Sequence, residues 1–477
     1  DAQRELARRL LRHQNPETQL EYRAEPALLY VELSHEDTIF PSSQGSPDDL
    51  PADFRAELGK GYAPWLNERT AQGLRAPGPA DEEAKAELPT FQGSPSARAD
   101  YGQYLRELER NSVLSLTQFV RAELGLQSML INSQASFGGL AGVLREAEAS
   151  DFIDVHGSWA QKGQSQTHAP DTGTLSQLAS YRVFGKPFVV SEYAVAAPND
   201  YAAEMFPLLI GIAGLQDWDA VFAFAYADHK RDYEPKRING VFDLAGHPAK
   251  LAFLTSAAAA FRRGLVAPAQ SRIELAVPEQ PSALPYAEDA LPKLWSEHGV
   301  PLSAAAIRQL GITLRPGSGD VTASYATRAS GPLGSDTGEL LWDAQGKHAR
   351  FSIDAPALKA VCGLLDSSAL KFSGVSFEFQ DFSPGFACAM LLSLDDRPIE
   401  SARRLLFSVS GLAQSNGTGP TLAQYVPVSV TLPRGLWHAD ALDGAGKPTH
   451  SLAVVNAAES KISTTYQGAA LSYAFTR

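Results

Sequence analysis

The stretch Phe188-Val189-Val190-Ser191-Glu192-Tyr193, led in by Gly185-Lys186-Pro187, decides how this chain is read. A short apolar, β-rich run that ends on a carboxylate reads as a buried strand whose last residue emerges into a site. A second stretch has the same form: Ala27-Leu28-Leu29-Tyr30-Val31-Glu32-Leu33 leads into Ser34-His35-Glu36-Asp37. Two carboxylates at the ends of separate buried strands suit acid-catalysed acetal cleavage. One gives a proton to the leaving oxygen while the other attacks or activates water. Glu36 and Glu192 are therefore the candidate catalytic pair.

Outward from these two stretches, strand-like runs at 27–33, 128–132, 151–156, 187–192 and 220–226 alternate with helical patterns. Those helices are expected at about 101–124, 140–148, 176–184, 200–214 and 247–263, the last stopped by Gly264. The alternation predicts a parallel sheet covered by helices. An amphipathic helix is expected over 1–14, stopped by Asn15-Pro16. Residues 41–100 break into Pro, Gly, Ser and charges, with a charged helical piece near Asp81 to Glu87. They read as an insertion forming a lid or cleft wall. Tyr62 and Trp65 within it are candidates for stacking on a polysaccharide or for plain packing. Residues 265–320, rich in Pro and Ala, read as a connector or small subdomain. From 321 to 477 short alternating runs such as Gly374–Phe379 and Leu405–Val409 predict an antiparallel β-sandwich.

At 477 residues the chain suggests two or three domains. Its 41 basic and 54 acidic residues give a net charge of −13, spread along the chain, which argues against a nucleic-acid surface. The longest apolar run, Phe206 to Leu215, is about half the roughly 20 residues of a membrane-spanning helix, so no span is expected. Cys362 and Cys388 are a disulfide or two buried thiols. No Cys/His spacing suggests a metal, and His35-Glu36 lacks the second histidine of a zinc-protease helix. A phosphate loop, a dinucleotide fingerprint and a Gly-x-Ser-x-Gly elbow are absent too, so neither metal nor cofactor is expected. The chain opens at Asp1 without Met or a secretory signal, and its natural start is expected upstream.

With the strands so placed, residues 1–264 resemble the clan of retaining glycoside hydrolases built on a (β/α)8 TIM-type barrel. The resemblance rests on Val31–Phe40, on Asp151–Trp159, on Lys186–Tyr193, and on Gln216-Asp217-Trp218-Asp219 before the last strand. It implies that the five strands are the fourth to eighth of a barrel whose first three have no counterpart here. A second polypeptide supplying them, a fragment, and a rebuilt fold all remain open. The resemblance makes Glu36 the acid/base and Glu192 the nucleophile acting on a β-linked poly- or oligosaccharide, in an extracellular or periplasmic setting. It offers His35, His156, Trp159 and Tyr226 as substrate contacts and treats Trp218 as structural. Two positions depart from the pattern: His35 stands where an asparagine usually precedes the acid/base, and Ser158 where a tyrosine often accompanies the nucleophile. The alternative is a non-catalytic carbohydrate-binding or scaffold protein derived from such an enzyme. The stretch Leu392–Ile399 with Leu405-Leu406-Phe407 resembles the β-domain that commonly follows these barrels.

Overall fold

The computed structural model describes all residues except 1, 42–45, 75–87, 229–231, 283, 288–289, 326–330, 381–384, 415–418, 453, 457–459 and 465–469. The helical piece predicted at Asp81 to Glu87 lies outside the described residues. The chain is a mixed α/β structure with a large antiparallel sheet.

Five short strands organise the first half: β1 (Tyr30–Glu32), β2 (Met129–Ile131), β3 (Ile153–Trp159), β4 (Phe188–Val195) and β5 (Ala220–Ala223). β1 pairs in parallel with β2, and β3, β4 and β5 form a second parallel ladder in that order. Two backbone bonds join the ladders. Asp151 N–H donates to the Leu130 carbonyl at 2.9 Å, and Ala135 N–H to that of Asp154 at 2.7 Å. Both partners of these bonds advance together along the chain, so β2 and β3 also run parallel. The five strands thus lie side by side in sequence order with their C-terminal ends aligned, which requires a crossover after each.

Helices supply those crossovers: α1 (Ala2–Leu11) precedes β1, and α2 (Ala52–Ala71) and α3 (Pro95–Gln118) separate β1 from β2. α4 (Gly139–Ala149), α5 (Thr174–Ala179), α6 (Met205–Leu215) and α7 (Pro248–Arg262) follow β2 to β5 in turn. α3 starts where Ser94 accepts the Ala97 amide and Pro95 takes the first helical position, where no N–H is needed. The irregular pattern expected over 41–100 is corrected at α2, a twenty-residue helix that runs through Pro64. Its aromatic residues explain it. Tyr62 is buried against Tyr101 and Tyr104, while the Trp65 indole N–H donates to Glu107 at 2.7 Å. Burial on α3 outweighs the helix bond that Pro64 cannot donate. Tyr62 is therefore core rather than a stacking surface.

The region 265–320 also packs into the main core. β6 (Arg272–Pro281) and β7 (Gln309–Gly319) pair in parallel. Trp295, on α8 (Ala290–Glu297), is buried and donates its indole N–H to the Ser180 carbonyl at 3.0 Å.

The later half contains sheets of nine and five described strands. Strand Phe386–Ser393 is buried at every position. Phe386, Cys388, Met390 and Leu392 face the core shared with the helices, whereas Ala387, Ala389 and Leu391 face the smaller sheet. A strand covered on both faces is apolar throughout, because successive side chains point to opposite sides. α6 lies close on the first face: a Cβ on Gly211 would stand 2.5 Å from the Phe351 ring. Cys362 and Cys388 face each other across adjacent strands as a disulfide. Among the described residues no helix is long and apolar enough to cross a membrane.

Candidate active site

The site is built from the segments that follow β1 and β2 and from residues within β3 and β4, where parallel strands deliver side chains into a common space. His35 and Glu36 follow β1, Gln134 follows β2, and β3 contributes Asp154 and His156. β4 contributes Ser191 and Glu192. The register steps from Val155 opposite Val190 to His156 opposite Glu192, so Ser191 is an extra, bulged residue. The bulge lets two successive residues of β4 serve one site: Ser191 meets the side chains of Asp154 and His156, and Glu192 stands beside His156.

His156 is the hub. Its Nδ1 is 2.8 Å from Glu36 Oε1 and 3.7 Å from Glu192 Oε2. The nearest oxygens of the two carboxylates can therefore be no farther apart than those two distances laid end to end. That limit lies at the lower edge of the about 6.5–9.5 Å of an inverting pair and admits the about 5–5.5 Å of a retaining one. The glutamate side chains are 29% and 26% exposed, open to a ligand, while His156 is only 7% exposed and fixed beneath them.

A chain of hydrogen bonds sets the polarity of that histidine. Asp154 accepts the Ser191 hydroxyl at 2.6 Å, the Ser191 amide at 3.2 Å and the Gln134 amide group at 3.0 Å. With its proton directed to Asp154, the Ser191 oxygen accepts from His156 Nε2 at 2.8 Å. Nδ1 of a neutral imidazole is then an acceptor and faces Glu36 Oε1. Burial pushes Asp154 up to about 6, offset by the Ser191 and Gln134 bonds. Burial also raises Glu192, with the neighbouring His156 and His35 pulling down and Glu36 pushing up.

The backbone around Glu36 is held as firmly. Glu36 has a left-handed φ of 51°, uncommon for a residue with a side chain, and its N–H donates to Gln134 Oε1 at 2.8 Å. Asp37 N–H donates to Ser133 Oγ at 3.0 Å. Glu109 accepts Ile39 N–H and the Thr38 hydroxyl, each at 3.0 Å, and is paired with buried Arg145 at 2.9 Å. Gln134 also donates to Glu32 Oε1 at 2.6 Å, and the exposed His35 places Nδ1 3.2 Å from that same oxygen.

Of the residues singled out from sequence, Glu36, His35, His156 and Glu192 are brought together. The His35 and His156 ring centroids are 5.3 Å apart. Trp159 is not with them: it is 5% exposed in the main core, its indole N–H on the Gln164 carbonyl at 3.0 Å. Tyr226 is exposed in the segment after β5 and stacks on Tyr233. Trp218 is buried against Phe188. Asp154, Ser191, Gln134 and Glu32 were not singled out as site residues. The sequence signal for Asp154 was its i, i+2 spacing from His156, which puts both on one face of a strand.

His35, His156 and Glu192 also form the group of potential metal ligands found among the described residues, one ligand atom from each lying within 4.8 Å of the others. In comparison with known proteins, the chain matches no family model, no curated protein and no solved structure.

Proposed function

We propose that the chain is a retaining glycoside hydrolase acting on β-linked poly- or oligosaccharide. The observation that carries this reading is the meeting of two glutamates, one from the segment after β1 and one from within β4, on one histidine nitrogen. In the first step Glu192 attacks the anomeric carbon, and the glycosidic bond breaks as Glu36 gives its proton to the departing oxygen. In the second, Glu36 takes a proton from water, which displaces Glu192 from the glycosyl ester. The directed chain Asp154, Ser191, His156 supports the acid role of Glu36, because it leaves His156 Nδ1 as an acceptor 2.8 Å from the carboxyl that is to carry the proton. His35, exposed beside the pair, is suited to contact a sugar hydroxyl. We read the five parallel strands as an arc of a (β/α)8 barrel.

One observation favours a further strand-bearing segment or a second polypeptide along this arc. β1 and β5, its two ends, keep apolar surface in water: Phe222 is 42% exposed, and Leu29 at the start of β1 is exposed as well. Light scattering on the chain from its native source tests this. A complex with a second polypeptide supports it, and a monomer sinks the partner version.

The hydrolase reading is tested by turnover of β-linked polysaccharides and aryl β-glycosides by the native chain, Glu36→Ala and Glu192→Ala. Hydrolysis lost in both variants, with anomeric configuration retained by the native chain, is expected. Binding without turnover on every substrate would favour the non-catalytic carbohydrate-binding reading instead.

A further inference from the structure

We propose that His35, His156 and Glu192 hold a divalent transition-metal ion, Zn²⁺ being the best match. The inference rests on the cluster's geometry and not on the hydrolase reading. One ligand atom from each of the three residues lies within 4.8 Å of the others. Ligand atoms about 2.0–2.2 Å from a tetrahedral ion stand about 3.4 Å apart, so the widest pair must close by up to about 1.4 Å. The exposed His35 ring is free to make that movement, whereas His156 is fixed.

The outer shell points the same way. A metal-binding imidazole characteristically donates its other ring N–H to a carboxylate or a carbonyl, which fixes its tautomer and direction. His35 has a carboxylate partner, and His156 reaches one through the Ser191 hydroxyl. His35 Nδ1 is 3.2 Å from Glu32 Oε1, leaving Nε2 to bind. His156 Nε2 donates to Ser191, whose hydroxyl is held by Asp154, leaving Nδ1 directed at the glutamates. Glu36 Oε1, 2.8 Å from that Nδ1, supplies a fourth donor once its hydrogen bond to the ring is given up. Two imidazoles with carboxylate oxygens suit zinc and its neighbours in the first transition row. They are a poor match for calcium or magnesium, which take oxygen ligands. The ion would occupy Glu192, so it would inhibit a reaction that uses this carboxylate as nucleophile.

Titration of Zn²⁺ alone into chelator-stripped full chain, read by calorimetry, tests the site. One ion per chain is expected. Binding should weaken about tenfold or more in His35→Ala and also in Glu32→Gln, which alters the group that holds His35 and accepts from Gln134. His450→Ala, at an exposed histidine in the later half, should bind as the native chain does. His35 is exposed, so its removal should leave the melting temperature unchanged, and lost binding there cannot be blamed on unfolding. Unchanged affinity and stoichiometry in His35→Ala, or no binding to the native chain at millimolar Zn²⁺, would overturn the proposal. Failure of the hydrolase reading is seen separately, as absence of turnover by metal-free protein.

Discussion

Asp154→Asn is the most informative single change, because it reverses the direction of the hydrogen-bond chain beneath the two glutamates. The native carboxylate accepts at both oxygens, from the Ser191 amide on one and from the Ser191 hydroxyl and Gln134 on the other. The new amide keeps an oxygen for the Ser191 N–H but presents an NH2 group where the hydroxyl used to donate. Ser191 must then accept, and its own proton turns to His156 Nε2. That nitrogen becomes an acceptor, so Nδ1 carries the hydrogen and donates to an ionised Glu36. On the proposed mechanism, Glu36 then lacks the proton it would give to the leaving oxygen.

The cost to stability is small. Relieving the buried charge returns about 3 kcal/mol, the equivalent of the gap between 3.8 and about 6 at about 1.36 kcal/mol for each pH unit. The Gln134 donor left facing an NH2 group costs about 1–3 kcal/mol. The two nearly cancel. Loss of general acid catalysis is worth about 10²–10⁴-fold. The assay compares two aryl β-glycosides, one with a leaving group acidic enough to depart unassisted and one without. Rates on the poor leaving group should fall by about that factor while those on the good one stay near native. Equal loss on both, or no loss on either, in a variant that melts like the native chain would refute the reasoning.

Other outcomes follow from the same contacts. Asp154 has a folded-state pKa raised above its unfolded value. Its contribution to stability is therefore fully present below about 3.8 and lost as pH rises through about 6. The melting temperature of the native chain relative to Asp154→Asn should accordingly rise between pH 7 and pH 4, and a constant difference would contradict the assignment. Arg145→Met leaves Glu109 and Glu146 buried without their cation and should cost about 3–5 kcal/mol in denaturant unfolding. A loss below about 1 kcal/mol, the range of an exposed pair, would show that the pair is not the anchor of residues 37–39. Trp159→Phe should lower the melting temperature while leaving KM unchanged, since its ring is packed in the main core and its indole N–H serves the Gln164 carbonyl. A raised KM would return Trp159 to the substrate surface.

Much of the scaffold was legible because it depends on local pattern. The five strands lie within the apolar runs read from sequence, except that β3 continues to Trp159 and β4 to Val195. The meeting of Glu36, His156 and Glu192 follows from parallel strands in sequence order. Trp159 shows what the pattern could have corrected: it stands three residues from His156, and an odd spacing places two residues on opposite faces of a strand. Asp154, Ser191 and Gln134 were harder, because their roles depend on a bulge at Ser191 and on bonds between strands far apart in the chain. Helix α2 was hidden by Pro64, whose breaking tendency is overcome by contacts with residues about forty positions away. Nothing local in the sequence reports such contacts.

The central claim is that Glu192 becomes covalently attached to sugar. A β-glycosyl fluoride carrying fluorine at C2 slows departure of the intermediate, so incubation with the native chain followed by peptide mass spectrometry tests it directly. One fluorosugar ester, on the peptide bearing Glu192 and absent from Glu192→Ala, is the expected result. An adduct on another residue, or turnover with inverted anomeric configuration and no adduct, would contradict the account.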